Sequence, residues 1–183
     1  HLHVLDHPIG ADAVRQLRDE QTDPPAFRGA MHRLTTLLGA QALSNAPVRE
    51  VSVRTPLEKT TGVTLAKRVL ISPVLRAGLG MVDPLLELVP EAVVGCLGFY
   101  RDEQSLEPVP YYEKLPTPAT DWLTLLVDPM LATGGTAVAA VDLLKANGFT
   151  DLRLVCAIAA PEGVAAVRAR HPDLPIHAGA LDR

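Results

Sequence analysis

Residues 127–137, "VDPMLATGGTA", place one carboxylate, a glycine pair and two threonines between an apolar run, 123–127, and an apolar-periodic segment. Strand, acid, glycine-rich turn and helix follow one another in the order of a phosphate cradle. Glycines at Gly134 and Gly135 let the backbone bend until successive N–H groups face one oxygen-rich group. The helix N-terminus that follows adds about half a positive charge. A carboxylate at Asp128 would repel phosphate itself, but it suits the hydroxyl donors of a sugar attached to that phosphate. The plainer alternative is that Asp128 caps the turn.

A second loop has related chemistry. In "VLRAGLG", residues 74–80, Arg76 stands just before Gly78 and Gly80, at the end of another apolar run. A guanidinium forks onto phosphate oxygens while neighbouring amides take the rest. Either loop alone could be a tight turn into a helix. Together they point to a ligand with phosphate at two separated ends. A dinucleotide fingerprint does not fit, because the third glycine of Gly-x-Gly-x-x-Gly would fall at Asp83. No Gly-Lys-Ser/Thr occurs, which removes a P-loop NTPase.

The elements that must carry these loops follow from hydrophobic spacing. Phe27, Met31, Leu34, Leu38 and Ala42 repeat at helical period behind Pro24-Pro25, a pair suited to a first turn. Val51 and Val53, then Val63 and Leu65, alternate with polar neighbours and predict a hairpin over 48–66 turning around 57–59. It precedes the regular pattern and is expected to be an arm that reaches a second subunit. From Val69 onward, apolar runs at 69–75, 92–99, 123–127, 152–160 and 176–181 read as strands. Helical segments at 80–89, 136–146 and 161–170 separate them, with Pro90 ending the first and Gly148 past the second. Residues 108–116, "PVPYYEKLP", read as a loop or hairpin. Near-continuous apolar strands alternating with helices indicate an α/β fold, a parallel sheet covered on both faces. No repeat or linker divides the 183 residues, so one domain is expected.

Composition narrows the class. The net charge of −4 leaves no overall electrostatic footprint for nucleic acid. No apolar run approaches the ~20 residues of a membrane helix, and no signal peptide opens the sequence, so a cytoplasmic protein is expected. Cys96 and Cys156 sit inside apolar runs and read as buried, reduced thiols.

The apolar run, single acid and Ala-Thr-Gly-Gly-Thr resemble the phosphoribosyl pyrophosphate (PRPP) signature of type I phosphoribosyltransferases. With "PVLRAGLGMVDPLLELVP", "GFYRDEQSLEPVPYYEKLP", "VDPMLATGGTAVAAVDLLK" and "APEGV", the chain resembles the uracil phosphoribosyltransferase family from about Asp6 to Asp182. Many type I enzymes carry two consecutive acids where this chain has Asp128-Pro129; the single acid is a feature of the uracil branch.

The resemblance implies a parallel twisted sheet flanked by helices and a reaction in which uracil and PRPP give UMP and pyrophosphate. It implies PRPP contacts from Arg76, Ala77, Gly78 and Arg101. It also implies contacts from Asp128, Pro129, Met130, Leu131, Ala132, Thr133, Gly134, Gly135 and Thr136. Of these, Arg76, Arg101 and Asp128 would serve the chemistry. Tyr111, Tyr112 and Lys114 fall where the family has a mobile cover; the alternative is an ordinary hairpin with aromatic cross-strand contacts. Mg²⁺ would arrive on the substrate's pyrophosphate oxygens, with no dedicated protein cage. A homodimer or higher oligomer and GTP as an effector are further expectations. Uracil recognition is expected beyond Arg183, in the family's glycine-rich segment containing Tyr-Ile-Val-Pro-Gly-Leu-Gly-Asp.

Displacing pyrophosphate from an anomeric carbon requires no protein nucleophile, and neither cysteine has a basic neighbour to make it a thiolate. Catalysis would rest on positioning and on charge aimed at the leaving group. The rival readings are a type I transferase for another base, a non-catalytic PRPP or UMP sensor, and a nucleotide-binding domain without activity.

Overall fold

The structure, a computed structural model, describes residues 1–102, 108–117 and 121–182. Part of the 98–116 motif, residues 103–107, lies outside that set, as does Arg183.

The chain opens with strand β1 (Leu2–Val4) and helix α1 (Pro8–Arg18), neither of which the apolar spacing announces. α1 starts at a side-chain cap, with His7 accepting from the Ile9 amide, and Pro8 fits its first turn. Helix α2 (Pro24–Leu43) starts the same way, with Asp23 accepting from Ala26 N–H at 2.8 Å. Its buried stripe is Met31, Leu34, Leu38 and Ala42, as the spacing predicts, while Phe27 on the first turn stays exposed. α2 has no basic residue in its last turn. The cation favoured there comes instead from Arg153, which donates to the Ala42 carbonyl and to Asn45.

Strands β2 (Val48–Arg54) and β3 (Lys59–Leu65) form the expected hairpin, a separate two-stranded sheet paired from Val48–Leu65 to Arg54–Lys59. Then come β4 (Arg68–Leu75), a 3₁₀ turn (Ala77–Met81) that runs into α3 (Val82–Leu88), β5 (Val93–Val94) and β6 (Cys96–Arg101). The remaining elements are β7 (Pro108–Lys114), β8 (Trp122–Val127), β9 (Met130–Leu131), α4 (Gly135–Ala146), β10 (Asp151–Ala159), α5 (Pro161–Arg170) and β11 (Ile176–Leu181).

The main sheet runs β1-β11-β10-β8-β4-β6-β7, all parallel except the edge strand β7; β5 and β9 add short pairings to β4 and β10. Alternate residues of the central strands feed two cores. Val69, Ile71, Leu123, Leu125 and Val127 join α1, α2 and α3 on one face. Leu70, Val74, Trp122, Leu126, Leu154 and Ile176 join α4 and α5 on the other. Burial on both faces is why these strands read as unbroken apolar runs.

Three local readings need correction. The segment read as one helix over 80–89 begins as a 3₁₀ turn, and the strand read over 92–99 is split at Gly95. Cys96 is half-buried, not enclosed, because β6 lies next to the sheet edge; Cys156 is buried, and both thiols are free.

Candidate active site

The two glycine loops leave adjacent strands. β4 and β8 pair in parallel from Arg68–Trp122 to Pro73–Val127, so residues 76–80 and 128–136 emerge side by side from their carboxyl ends. After β4 the chain moves to β6 on one side; after β8 it moves to β10 on the other. That reversal of strand order opens a crevice, the usual ligand position in open α/β sheets.

The loops also touch. A β-carbon on Gly78 would lie 2.6 Å from the Val127 carbonyl oxygen and 3.1 Å from Pro73 Cα. Only a bare α-carbon permits this approach. The peptide between Leu75 and Arg76 is cis, and Arg76 precedes the 3₁₀ turn with its side chain exposed.

Beyond Val127 the ladder to β10 is interrupted at Pro129, whose carbonyl accepts from both Ala157 and Ile158 (3.1 and 3.0 Å), and β9 then rejoins β10 at Met130–Ile158. The interruption sets Asp128 into a cavity of about 150 Å³ that it shares with Arg101, Met130, Leu131, Ala132, Thr133, Gly134, Thr136 and Ala137. Arg101 ends β6 and reaches this cavity from the hairpin side, and Pro108, its partner on β7, lies 4.0 Å from where a Gly135 β-carbon would be. Arg76 is not among the lining residues.

The amino end of α4 faces the same cavity. Its cap residue, Gly134, has φ +84°, a left-handed conformation that favours glycine. No side chain caps α4 and no acid occupies its first turn, unlike α1 and α2 with their capping side chains. Uncapped N–H groups and the helix dipole make this end an anion acceptor.

Asp128 is poorly provided for. Its carboxylate accepts one long bond, 3.4 Å, from the Met130 amide, and burial raises its pKa above the ordinary carboxylate value. An ionised acid in that setting favours incoming hydroxyl donors. Among the described residues it is the sole carboxylate lining the cavity.

Ala77 and Pro129 face the other way, into an apolar groove of about 480 Å³ with Leu79, Phe27, Met31 and Arg28. Tyr111, Tyr112 and Lys114 lie on β7, which pairs antiparallel with β6. The register slips between Gly98 and Phe99, leaving Tyr111 opposite no residue, and its ring covers Gly98 and approaches Tyr100 at 6.5 Å. Such a bulge re-aims a side chain.

Residue-type reasoning left out Gly163, in the first turn of α5. A β-carbon there would lie 2.5 Å from Ala132 O and 2.7 Å from Leu131 O. The available signal was a glycine where helix propensity favours almost any other residue.

A sequence profile described as uracil phosphoribosyltransferase matches residues 4–183. The uracil phosphoribosyltransferase of Dictyoglomus thermophilum is 45% identical over 180 residues, 98% of this chain and 87% of that protein. The solved structure of the AQ2163 protein from Aquifex aeolicus superposes with a TM-score of 0.93 at 32% identity, covering 100% of this chain and 88% of that one. An adenine phosphoribosyl transferase from Trypanosoma brucei, solved with AMP, pyrophosphate and ribose-5-phosphate, shares the fold at a TM-score of 0.64 and 11% identity, over 98% of this chain and 83% of that one. The chain belongs to the uracil phosphoribosyltransferase family.

Proposed function

We propose that this protein transfers the phosphoribosyl group of PRPP to uracil, releasing pyrophosphate and forming UMP. The observation that carries the reading is the adjacency of two anion-accepting loops at the β4/β8 crevice, with one under-solvated acid beside them.

Residues 133–136 and the α4 amino end hold the 5′-phosphate. Asp128 accepts the ribose hydroxyls and, as an anion, favours the positive charge that grows on the ring as the bond to pyrophosphate breaks. Arg76 and the 76–80 amides take the negative charge of the leaving group. Arg101, which shares the Asp128 cavity, bridges the two ends. The base nitrogen attacks the anomeric carbon as pyrophosphate departs, so no covalent enzyme intermediate forms. Cys156 is unsuited to a nucleophilic role, since burial pushes its thiol up to about 12.

With Asp128 as the only carboxylate lining the cavity among the described residues, a divalent ion would take most of its oxygens from substrate and water. Mg²⁺ bound to the pyrophosphate would neutralise the leaving group. Tyr111, Tyr112 and Lys114 form one wall of a cover over the crevice. The β2–β3 hairpin is the arm of a homodimer: Val48, Val53, Leu57 and Val63 are exposed on it, and an isolated hairpin is marginal in water. Sedimentation as a monomer at micromolar concentration would remove the dimer from this reading. GTP acts as an effector, to be tested by activation in its presence. Among the described residues no helix is long and apolar enough to cross a membrane.

Uracil-dependent release of pyrophosphate from PRPP, with UMP formed in equal amount, tests the reaction. Adenine or hypoxanthine in place of uracil should release none. Tight PRPP binding without turnover would favour a sensor instead.

A further inference from the structure

We infer that Gly163, outside the cavity itself, is a positioning residue that fixes the height of the phosphate loop. The inference rests on the reading of residues 133–136 as the 5′-phosphate cradle.

The contact is reciprocal and made of backbone. A β-carbon on Gly163 would meet Ala132 O at 2.5 Å and Leu131 O at 2.7 Å. A β-carbon on Gly134 would meet Gly163 O at 2.8 Å and Ala166 Cβ at 2.9 Å. Two bare α-carbons therefore let the first turn of α5 support the 131–134 backbone from behind. Ala160 N–H donates to Leu131 O at 2.8 Å, which holds the two segments in register. The nearest atoms a side chain at 163 would strike are the carbonyl oxygens of Ala132 and Leu131, not the ends of flexible side chains, so a methyl group cannot be absorbed by a rotamer change.

α5 cannot simply retreat. Its far end is tied to α4 by Arg170, which donates to Asp142 at 3.4 Å, and by His171, whose Nδ1 lies 3.0 Å from the Lys145 ammonium. Leu131, Val164 and Val167 are buried in the core that α4 and α5 share. The loop must yield instead, and the loop carries the amides whose hydrogen bonds to phosphate weaken steeply with distance and angle.

The sign of the stability change separates this role from a simple helical one. By propensity alone Gly163→Ala should raise the melting temperature, because alanine is the better helix former. If the loop bears on residue 163, the melting temperature falls. Binding gives the second readout. Isothermal titration with UMP and, separately, with inorganic pyrophosphate in the presence of Mg²⁺ distinguishes the two loops. Gly163→Ala should weaken UMP by about tenfold or more and leave pyrophosphate within about twofold, since the atoms a Gly163 β-carbon would strike belong to residues 131 and 132 and not to the 76–80 loop.

Val164→Ala, a cavity one residue along the same turn, should lower the melting temperature while both affinities hold. Ala166→Val, at a half-buried position facing Gly134, should weaken UMP in a smaller measure and leave pyrophosphate alone. Unchanged UMP affinity in Gly163→Ala overturns the inference, and so does an equal loss for both ligands. If Gly163→Ala does not fold, Ala166→Val decides by the same criterion. Failure of the underlying reading looks different: the wild-type protein then takes no UMP. In that case a crystal structure of Gly163→Ala still tests the contact, because an unmoved 131–134 backbone overturns it.

Discussion

The α-carbon of Gly78 rests on the carbonyl oxygen of Val127, with room for hydrogen but not for a methyl: a β-carbon would lie 2.6 Å away. Gly78 belongs to the loop after β4 and Val127 ends β8, so this one contact fixes the spacing of the two phosphate loops across the crevice. Gly78→Ala must push them apart, and the overpacking should destabilise the fold by about 1–3 kcal/mol. PRPP spans both loops, whereas UMP and pyrophosphate each use one. The Michaelis constant for PRPP should therefore rise more than either product's dissociation constant, a comparison that steady-state kinetics and titration calorimetry together provide.

Asp128→Asn keeps the shape and removes the charge. Loss of one charged hydrogen-bond partner should weaken PRPP by on the order of 1.5–3 kcal/mol. Burial raises the pKa of Asp128, so its anionic form is lost sooner than an exposed acid's as pH falls. Wild-type PRPP affinity should decline on acidification over that range, and the asparagine variant should show a flatter profile. An affinity and pH profile unchanged by the substitution would return Asp128 to the role of a turn cap.

The two arginines should part company. Arg76 lies outside the Asp128 cavity and Arg101 inside it. Arg76→Ala should weaken PRPP and pyrophosphate and leave UMP nearly unaffected. Arg101→Ala should weaken UMP as well, because its guanidinium borders the residues assigned to the 5′-phosphate. Calorimetry on both variants with both products would refute the assignment if the patterns were the same.

A stability prediction comes from the far end of the sheet. His177 stacks on His3 at 4.8 Å and is 7% exposed. Burial, followed by the nearby His3, Arg153 and N-terminal charges, lowers its pKa to about 4. The folded ring stays neutral while the unfolded one takes a proton near pH 6.5, so this group costs nothing above that pH. Between about 6.5 and 4, stability falls as pH falls, by roughly 3 kcal/mol over the whole range. His171 is shifted in the same direction, first by burial and then by Lys145. His177→Phe should melt with a shallower acid dependence than wild type; equal slopes from pH 7 to 4.5 would contradict the shift.

The crevice was legible because its chemistry is local. Asp128 and Gly134-Gly135 are close in sequence, and apolar runs buried on both faces announce a parallel sheet without ambiguity. The hairpin over β2 and β3 was legible from two-residue alternation for the same reason. What escaped is what only three dimensions supply. Gly163 matters through carbonyls about thirty residues earlier in the chain, at Leu131 and Ala132. Arg101 came from the family resemblance and not from spacing: it shares the Asp128 cavity because β6 and β8 flank β4, an order that hydrophobic spacing does not encode. α1 escaped because it buries only Gly10, Ala13 and Val14, too narrow a stripe for periodicity to register. The bulge at Tyr111 depends on Gly98 across the strand pair, and neither residue alone signals it.

One PRPP molecule should span both loops, and a crystal structure with PRPP and Mg²⁺ would show whether it does. The 5′-phosphate density should lie against Thr133–Thr136, the pyrophosphate against residues 76–80, and the ribose hydroxyls within hydrogen-bond distance of the Asp128 carboxylate. PRPP bound in the reverse sense, or with its ribose away from Asp128, would contradict it.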